Sequence, residues 1–313
     1  MWKIRKFVRL ADIIRPWFSS HAQLPTPICM DHGRLRVFFA GRNAIQCSST
    51  GFVDLVVSRA DIEVVGVSGD PVLRPGDLGT FDEHGVFPSC VVRHDGKYYM
   101  YYVAWNKGAE PPLFYATIGL ATSEDGDVFT KHGLVPLLGR SEHDPCLITS
   151  PHVFVEGSRW LMTYVSGFKW DRGEDGRLRS YYDIKIATAD GPLGWKRTGH
   201  SAIPLRDGER NVARPAVIRK SPTRLSMWFS YVNSVHGKYR IGYAESSDGV
   251  EWERDDESAG FSELPEFAAD MMCYPALFQV GDRLFMVFNG DRYGADGFGV
   301  AEWDRPWPTA AVN

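Results

Sequence analysis

The sequence lacks several features that would place a protein in a common functional class. Its five cysteines are scattered and form no CxxC pair, which argues against a disulfide framework and a structural zinc site. With a formal net charge of −4, the chain lacks the excess of positive charge that is typical of proteins that bind nucleic acid or an acidic membrane. No apolar run approaches the ~20 residues of a membrane-spanning helix. We therefore expect neither a nucleic-acid partner nor a membrane partner.

Recognised enzyme motifs are also missing. The chain contains no G-x-S-x-G elbow, no P-loop, no G-x-G-x-x-G after a strand and no H-E-x-x-H. The first residues, MWKIRKFVRLADIIRPW, have no unbroken apolar segment of the kind found in secretory signals. Provided that no leader has been removed, the sequence indicates a reduced, cytoplasmic protein, and nothing in it calls for a cofactor.

What the sequence does contain is an internal repeat. Five prolines precede short apolar strands at spacings of 63, 63, 64 and 60 residues, namely Pro25, Pro88, Pro151, Pro215 and Pro275. Each apolar strand is followed by a short turn and by a second strand rich in aromatic and β-branched residues, such as YYMYYVAW and LSMWFSYV. Third strands such as TIGLATS and fourth strands after acidic or glycine turns complete the pattern, and helical periodicity is scarce.

Repeats of this length with four strands each predict an all-β fold, a five-bladed β-propeller. The whole chain, 1–313, forms one such domain, with blades that start near the five aligned prolines. The last repeat shows no obvious fourth strand. Residues 3–10 are expected to supply that strand and to close the ring of blades. A solenoid is the alternative, but four strands per repeat fit propeller blades better. The sequence gives no oligomeric state.

Residues just before each aligned proline are expected to converge, because the first strand of every propeller blade lines the central channel. The acids among them are Asp82, Glu83, Asp144, Glu209 and Asp270. The other candidate pocket residues from these segments are His21, Gln23, His84, His143, Ser150, Arg210, Arg214 and Tyr274. The ends of the second strands add Arg42, Trp105, Trp170 and Arg292, of which the two tryptophans could stack on a sugar ring. We expect a small-molecule or oligosaccharide ligand in the channel.

Each of these residues also has an ordinary structural interpretation. A single aspartate before a strand is often a turn former or a cap for backbone NH groups. Trp228 and the YYMYY aromatics are expected to pack between blades. Three histidines, His21, His84 and His143, come from three blades, but no ligand spacing requires a metal, and we predict none. The convergence of several acids favours function, because like charges around one channel repel unless they are used or compensated.

Two carboxyls across a sugar-sized pocket are the requirement for cleavage of a glycosidic bond, one as acid and the other as base or nucleophile. The segments FDEHGVFPS, IGLATSEDG, HDPCLITSPHVFVEG and YRIGYAESSDGVEWER resemble the glycoside hydrolase superfamily of families 32, 43, 62, 68 and 130, over residues 15–303. The chain is most similar to a bacterial glycosidase-like branch associated with polysaccharide biosynthesis.

The resemblance implies catalytic roles for Asp82 and Asp144 as the aspartates and for Glu209 as the acid, with Asp270 in reserve. The chain departs from the family at two places. Its first repeat offers His21 and Gln23 where the family has an aspartate, and Thr149-Ser150-Pro151 replaces the family's Glu-Gly-Pro.

Three functions therefore compete. The first is a carbohydrate-active, glycoside hydrolase-like enzyme that cleaves or transfers a glycosidic bond with channel carboxylates as acid and base. The second is an altered glycosidase that binds sugar in a glycan assembly pathway. The third keeps the pocket but changes the reaction to that of a phosphorylase, transferase, lyase or cyclase on another small molecule, with Arg210, Arg214 and Lys169 available for an anion.

Overall fold

The computed structural model describes residues 1–30, 33–235 and 237–308, and twenty strands make up most of them. The helical segments are single turns, at Leu10–Ile13 and Asp291–Gly294, together with 3₁₀ turns at Asp256–Ala259 and Glu266–Ala268. The expected all-β class is therefore confirmed.

Antiparallel pairing along the chain groups the strands by four, and we call each group a unit. The first unit contains β2 (Ser20–Cys29), β3 (Arg34–Arg42), β4 (Ser48–Val57) and β5 (Ile62–Val67). The second contains β6 (Gly85–His94), β7 (Lys97–Lys107), β8 (Phe114–Ser123) and β9 (Thr130–Lys131). The third contains β10 (Leu147–Glu156), β11 (Arg159–Arg172), β12 (Leu178–Ala189) and β13 (Lys196–Ile203). The fourth contains β14 (Glu209–Ser221), β15 (Arg224–Asn233), β16 (Arg240–Ser246) and β17 (Glu253–Arg254). The fifth contains β18 (Cys273–Val280), β19 (Arg283–Asn289), β20 (Gly297–Trp303) and β1 (Trp2–Arg9).

The fifth unit takes its outer strand from the beginning of the chain. Strand β1 pairs antiparallel with β20, with Trp2 opposite Trp303 and Arg9 opposite Gly297. The indole of Trp2 donates a hydrogen bond to the carbonyl of Ala259 at 3.0 Å, and its ring packs edge-on against Trp228 and Trp303. Strand β1 is thus held by backbone pairing along its length and by a buried aromatic side chain at its start.

Backbone pairing joins neighbouring units at two places, each near the start of a first strand. A parallel pair between Ser48 and Gly85 links the first and second units into one sheet, and a parallel pair between Tyr182 and Asn211 links the third and fourth. Within the described ranges no sheet closes on itself. Each first strand contacts the next, and β18 contacts β2, so β2, β6, β10, β14 and β18 lie side by side around one axis.

Aromatic and aliphatic side chains fill the space between adjacent units. Phe38, Tyr102 and Phe129 pack together between the first and second units, with the rings of Phe38 and Phe129 edge to face at 5.5 Å. Trp228 is 1% exposed in the cluster that joins the fourth and fifth units. The expected packing role of Trp228 and of the YYMYY aromatics agrees with these positions.

Candidate functional site

The first strands share an irregularity at the aligned prolines. In all five, the pairing register with the second strand shifts around the proline, as a β-bulge does. We call the residues just before the prolines the bulge ring: Leu24, Phe87, Ser150, Arg214 and Tyr274. Four of the five have left-handed backbone, with φ values of 52°, 48°, 53° and 59° for Leu24, Ser150, Arg214 and Tyr274. Because a bulge redirects a side chain, the repeated bulges account for the unusual setting of these five residues.

Arg214 is the charged member of the bulge ring, and it reaches across to other units. Its Nη1 donates to the Ser89 hydroxyl at 2.6 Å in the second unit. Its Nη2 donates to the Thr26 hydroxyl at 2.8 Å and to the Pro25 carbonyl at 3.3 Å in the first unit. The Ser89 hydroxyl in turn donates to the Pro151 carbonyl in the third unit at 2.9 Å. Arg214 therefore connects four units inside the circle of first strands.

Four tyrosines cluster at the end of the molecule where the first strands begin. Tyr274 and Tyr293 stack at 6.1 Å, and Tyr239 lies 5.9 Å from Tyr274. The hydroxyls of Tyr182 and Tyr239 are hydrogen-bonded to each other. Burial raises the pKa of all four phenols, so each stays neutral at physiological pH. We call Tyr182, Tyr239, Tyr274 and Tyr293 the tyrosine cluster, and it offers apolar faces with hydroxyl edges.

The first unit contributes His21, Gln23 and Arg42 to the same end. Arg42 donates to the Gln23 side-chain oxygen at 2.7 Å, and His21 is hydrogen-bonded to Ser20 at 2.9 Å. Burial, with the charges of Arg42 and Arg292, lowers the pKa of His21 to about 4. His21 is therefore neutral at pH 7, in surroundings made positive by arginines.

Asp82 is buried in the loop before the second unit. Its carboxyl forms an ion pair with Lys131 at 2.6 Å and accepts a hydrogen bond from the Tyr102 hydroxyl at 3.2 Å. Thr80 donates to the other oxygen at 3.1 Å. Lys131 belongs to β9, the outermost strand of the second unit. Asp82 thus has partners on both oxygens, and all of them come from the second unit or the loop before it.

Asp144 has an equivalent setting one unit further along. It is fully buried, pairs with Arg197 of β13 at 2.8 Å and accepts from Ser141 at 2.8 Å. Its other oxygen lies 4.0 Å from Lys185. Asp183 is near this pair, and burial raises its pKa, with the Asp144 charge acting in the same direction. The site is a buried cluster of two acids and two cations.

Glu209 is the most fully paired of the three predicted catalytic acids. The Arg254 guanidinium bonds both carboxylate oxygens, at 2.6 and 2.7 Å, and the backbone NH of Arg206 donates at 2.9 Å. Arg254, from β17, also pairs with Asp256 at 2.7 Å. Both side chains are nearly inaccessible, at 4% for Glu209 and 7% for Arg254.

The three acids therefore follow one pattern, in which an acid at the start of the first strand, or just before it, binds a cation of the outermost strand in the same unit. Among the described residues, no two of Asp82, Asp144 and Glu209 share a hydrogen-bond or ion-pair partner. The structure brings each to its own ion pair and not to a common partner. Their catalytic roles stay a prediction.

Other predicted residues line the same end with varied contacts. Trp105 donates to Ser48 at 3.0 Å and stacks on Phe87 at 6.2 Å, beside His84. Glu83 accepts from the backbone of Gly79 at 2.9 Å. Trp105 is half-buried, and its packing against Phe87 connects it to the bulge ring.

The third, fourth and fifth units supply the remaining predicted residues. Trp170 meets Phe114 edge to face at 5.9 Å, and His143 lies 3.7 Å from Glu142. Arg210 is half-buried, and its charge acts on the Tyr182 phenol. Asp270 and Arg292 are exposed and form surface ion pairs with neighbouring side chains.

Sequence reasoning missed several residues of this region. The tyrosines Tyr182 and Tyr239 come from the starts of third strands, which lie at the same end as the starts of first strands. The cations were also missed, although FTK, WKR and WER share one spacing, an aromatic residue two positions before Lys131, Arg197 or Arg254. That repeated spacing was the available signal.

Two kinds of site are absent from the described part of the chain. No group of three or more histidine, cysteine, aspartate or glutamate side chains is arranged to hold a metal ion among residues 1–30, 33–235 and 237–308. No helix in those ranges has the length and hydrophobicity needed to cross a membrane.

Comparison with known sequences finds relatives along nearly the whole chain. No protein-family profile matches it. The uncharacterized proteins MT1551 and Rv1502 of Mycobacterium tuberculosis, strains CDC 1551 and H37Rv, are each 32% identical over 289 residues, which cover 91% of this chain and 93% of theirs. A beta-1,2-mannobiose phosphorylase of Thermoanaerobacter sp. (strain X514) is 25% identical over 145 residues, 44% of this chain and 45% of the phosphorylase.

Solved structures with a similar fold include glycoside hydrolases. A structure from the GH130 family of mannoside phosphorylases, which contains glycoside hydrolases that target β-1,2-mannosidic linkages in Candida mannan, has a TM-score of 0.69 at 15% identity, covering 100% of this chain and 97% of that one. A thermostable family-43 glycoside hydrolase gives 0.64 at 17%, covering 91% and 90%. The Bombyx mori GH32 β-fructofuranosidase BmSUC1 gives 0.63 at 16%, covering 93% and 64%. The resemblance to this propeller superfamily is confirmed at the level of fold.

Proposed function

The chain belongs to the family of the mycobacterial proteins MT1551 and Rv1502, and we propose that it is a glycosidase-like protein that binds carbohydrate at the mouth of its central channel. One observation carries the proposal. Half-buried aromatic side chains from several units converge where the first strands begin, and Phe87, Trp105, Trp170, Tyr182, Tyr231 and Tyr274 pack against one buried cluster. Aromatic faces with hydroxyl edges suit the alternating apolar and polar faces of a sugar ring.

The ion pairs favour an altered glycosidase over ordinary two-carboxylate hydrolysis. A general acid and base must each leave an oxygen free for substrate. Glu209 has both oxygens occupied by Arg254, and Asp82 and Asp144 are buried beside cations. Hydrolysis or transfer by Asp82, Asp144 and Glu209 remains the second candidate, and the glycosidase-like fold favours it.

The architecture is part of the same proposal. We infer one five-bladed propeller spanning 1–313, in which β1 completes the last blade and closes the ring. The contacts between successive first strands, and the pairing of β1 with β20, support this arrangement. An experimental structure would test it directly, and a count other than five would contradict it.

The expected cytoplasmic location and the absence of nucleic-acid and membrane partners also remain proposals. All five cysteines are free, which is the usual state of cysteines in a reducing compartment. Fractionation of the native cells would test the location.

The binding proposal is tested with a glycan array, followed by calorimetry on the sugars that bind. Replacing Tyr274 by alanine removes a stacking face, and we expect binding to weaken about tenfold or more. Tyr99→Ala is the matched control, because Tyr99 is also half-buried but lies near the opposite ends of the strands. Loss of affinity in the control variant alone would contradict the proposed site.

The second candidate is tested in the same preparation. The array sugars are offered as substrates to the wild type and to the triple variant Asp82→Asn, Asp144→Asn, Glu209→Gln. Turnover by the wild type that disappears in a folded triple variant would favour the two-carboxylate enzyme. Equal binding by both proteins, without turnover, would favour the altered glycosidase.

A further inference from the structure

Arg214 is a buried cation that the proposed function has not yet used. It lies on β14 directly before Pro215, and 2% of the residue is exposed. Its two terminal nitrogens bond hydroxyls and a carbonyl, while its Nε is buried without a hydrogen-bond partner. Among the described residues, no carboxylate lies within 4.0 Å of its guanidinium. The charge therefore has neutral partners only.

An unpaired buried charge is costly, and arginine cannot escape the cost by losing its proton. Transfer of an ion out of water is unfavourable unless a counter-charge and hydrogen bonds compensate it. Burial lowers the pKa of Arg214 to about 10, which still leaves the group protonated at pH 7. A positive charge without a counter-ion thus lies inside the circle of first strands.

A second arginine with a buried Nε that lacks a hydrogen-bond partner lies nearer the mouth of the channel. Arg42 donates to Gln23, but its Nε is also buried without a partner, and burial lowers its pKa. Both guanidinium groups bond the same strand, β2, Arg42 at Gln23 and Arg214 at Pro25 and Thr26. Arg42 is only half-buried, so part of it is accessible to solvent, whereas Arg214 is not.

We propose that Arg214 and Arg42 form an anion subsite at the floor of the channel mouth, which takes a carboxylate or phosphate group carried by an acidic sugar. The inference rests on the proposed carbohydrate-binding function and names its ligand class. Guanidinium groups match both anions because they present several NH donors in a fixed plane. The Nε hydrogens of both arginines are the donors left for the ligand, and the tyrosine cluster packs on the sugar ring beside them.

A purely structural role for Arg214 is the competing explanation. The side chain links four units through Ser89 and Thr26, and that role alone would account for an arginine at this position without any ligand. The two explanations differ at Nε, because the structural bonds use only the terminal nitrogens. A ligand would change the surroundings of Nε, and a structural role would not.

The first experiment observes that nitrogen directly in the wild-type protein. The Arg214 Nε–H signal is recorded by ¹H–¹⁵N NMR and assigned by its loss in Arg214→Lys. We expect it to shift saturably with sodium phosphate or sodium acetate and not with sodium chloride at equal ionic strength. No shift with either anion up to about 100 mM would overturn the subsite. A response to acetate alone indicates a carboxylate-bearing sugar, and a response to phosphate alone indicates a phosphate-bearing sugar.

The second experiment measures linkage to stability. Phosphate or acetate should raise the urea midpoint of the wild type as its concentration increases, because the anion binds the folded state. The increase should disappear in Arg214→Met and persist in Arg283→Met, a control that removes a guanidinium already paired with Glu302. An equal increase in Arg214→Met would overturn the proposal even if that variant is less stable.

A third comparison separates this inference from the function on which it rests. Acidic sugars and their neutral parents are tested side by side for binding. Equal binding of both classes would overturn the anion subsite and leave the carbohydrate-binding function standing. If Arg214 responds to anions but the protein binds no sugar, the anion subsite stands and the carbohydrate-binding function is overturned.

Discussion

The ion pair between Glu209 and Arg254 gives the sharpest test of what the predicted catalytic acids do. Removing one partner of a buried ion pair costs about 3–5 kcal/mol, because the other charge stays buried and unpaired. Arg254→Met leaves Glu209 buried without a cation, while Asp256 keeps its pair with Arg206 at 3.2 Å, and we expect a loss within that range. The ring contacts of Arg254 with Phe229 and Tyr231, at 5.1 and 5.0 Å, add to the loss.

Glu209→Gln should cost less than Arg254→Met. Asp256 still neutralises Arg254 in that variant, and the glutamine oxygen can still accept one hydrogen bond, so we expect a loss of about 1–3 kcal/mol. The double variant should lose less free energy of unfolding than the two single variants lose together. We expect the difference, the coupling energy, to be about 1–3 kcal/mol. Urea unfolding followed by tryptophan fluorescence measures all four proteins.

One particular result would contradict a structural role for Glu209. If Glu209→Gln leaves the urea midpoint unchanged but abolishes a sugar-dependent activity, then Glu209 is not a structural partner of Arg254. In that case the carboxylate serves chemistry, and the two-carboxylate enzyme regains the lead. Additive losses in the double variant would likewise show that the two side chains do not depend on each other.

Two further predictions concern pH. Asp183→Asn should raise the urea midpoint at pH 7, because burial raises the Asp183 pKa and the fold therefore favours the protonated form. That advantage should shrink as pH falls through the raised pKa and vanish below the unfolded value near ~3.9; an advantage that grows in acid would contradict it. His21 should titrate near pH 4 by NMR, so its contribution to stability is lost as pH falls from about 6.5 to 4. Arg42→Gln should raise the pH at which His21 titrates. A wild-type His21 titration midpoint near ~6.5 would refute the argument that burial lowers the pKa of His21.

The strands were predictable because their signals are local. Alternating aromatic and β-branched residues, turn glycines and the aligned prolines recur within each unit, so the all-β class follows from short windows of sequence. The positions of Asp82, Asp144 and Glu209 near the beginnings of first strands follow from the same alignment.

The partners of those acids were harder to predict because they are remote in sequence. Arg197 is 53 residues from Asp144, and Arg254 is 45 residues from Glu209. Only the return of the chain to the outermost strand of the unit brings them together. The tyrosine cluster depends in the same way on side chains from three units, and the unpaired Nε of Arg214 depends on atomic positions that no spacing encodes.

The pairing of β1 with β20 has a consequence for synthesis on the ribosome. Strand β1 must wait for its partner until Trp303, which pairs opposite Trp2, has been made. Until then its backbone donors and acceptors are open to other strands, including those of neighbouring nascent chains. The sheet of the fifth unit can therefore be completed only after β20 has been made, and a delay in translation between β1 and β20 prolongs the exposure of β1.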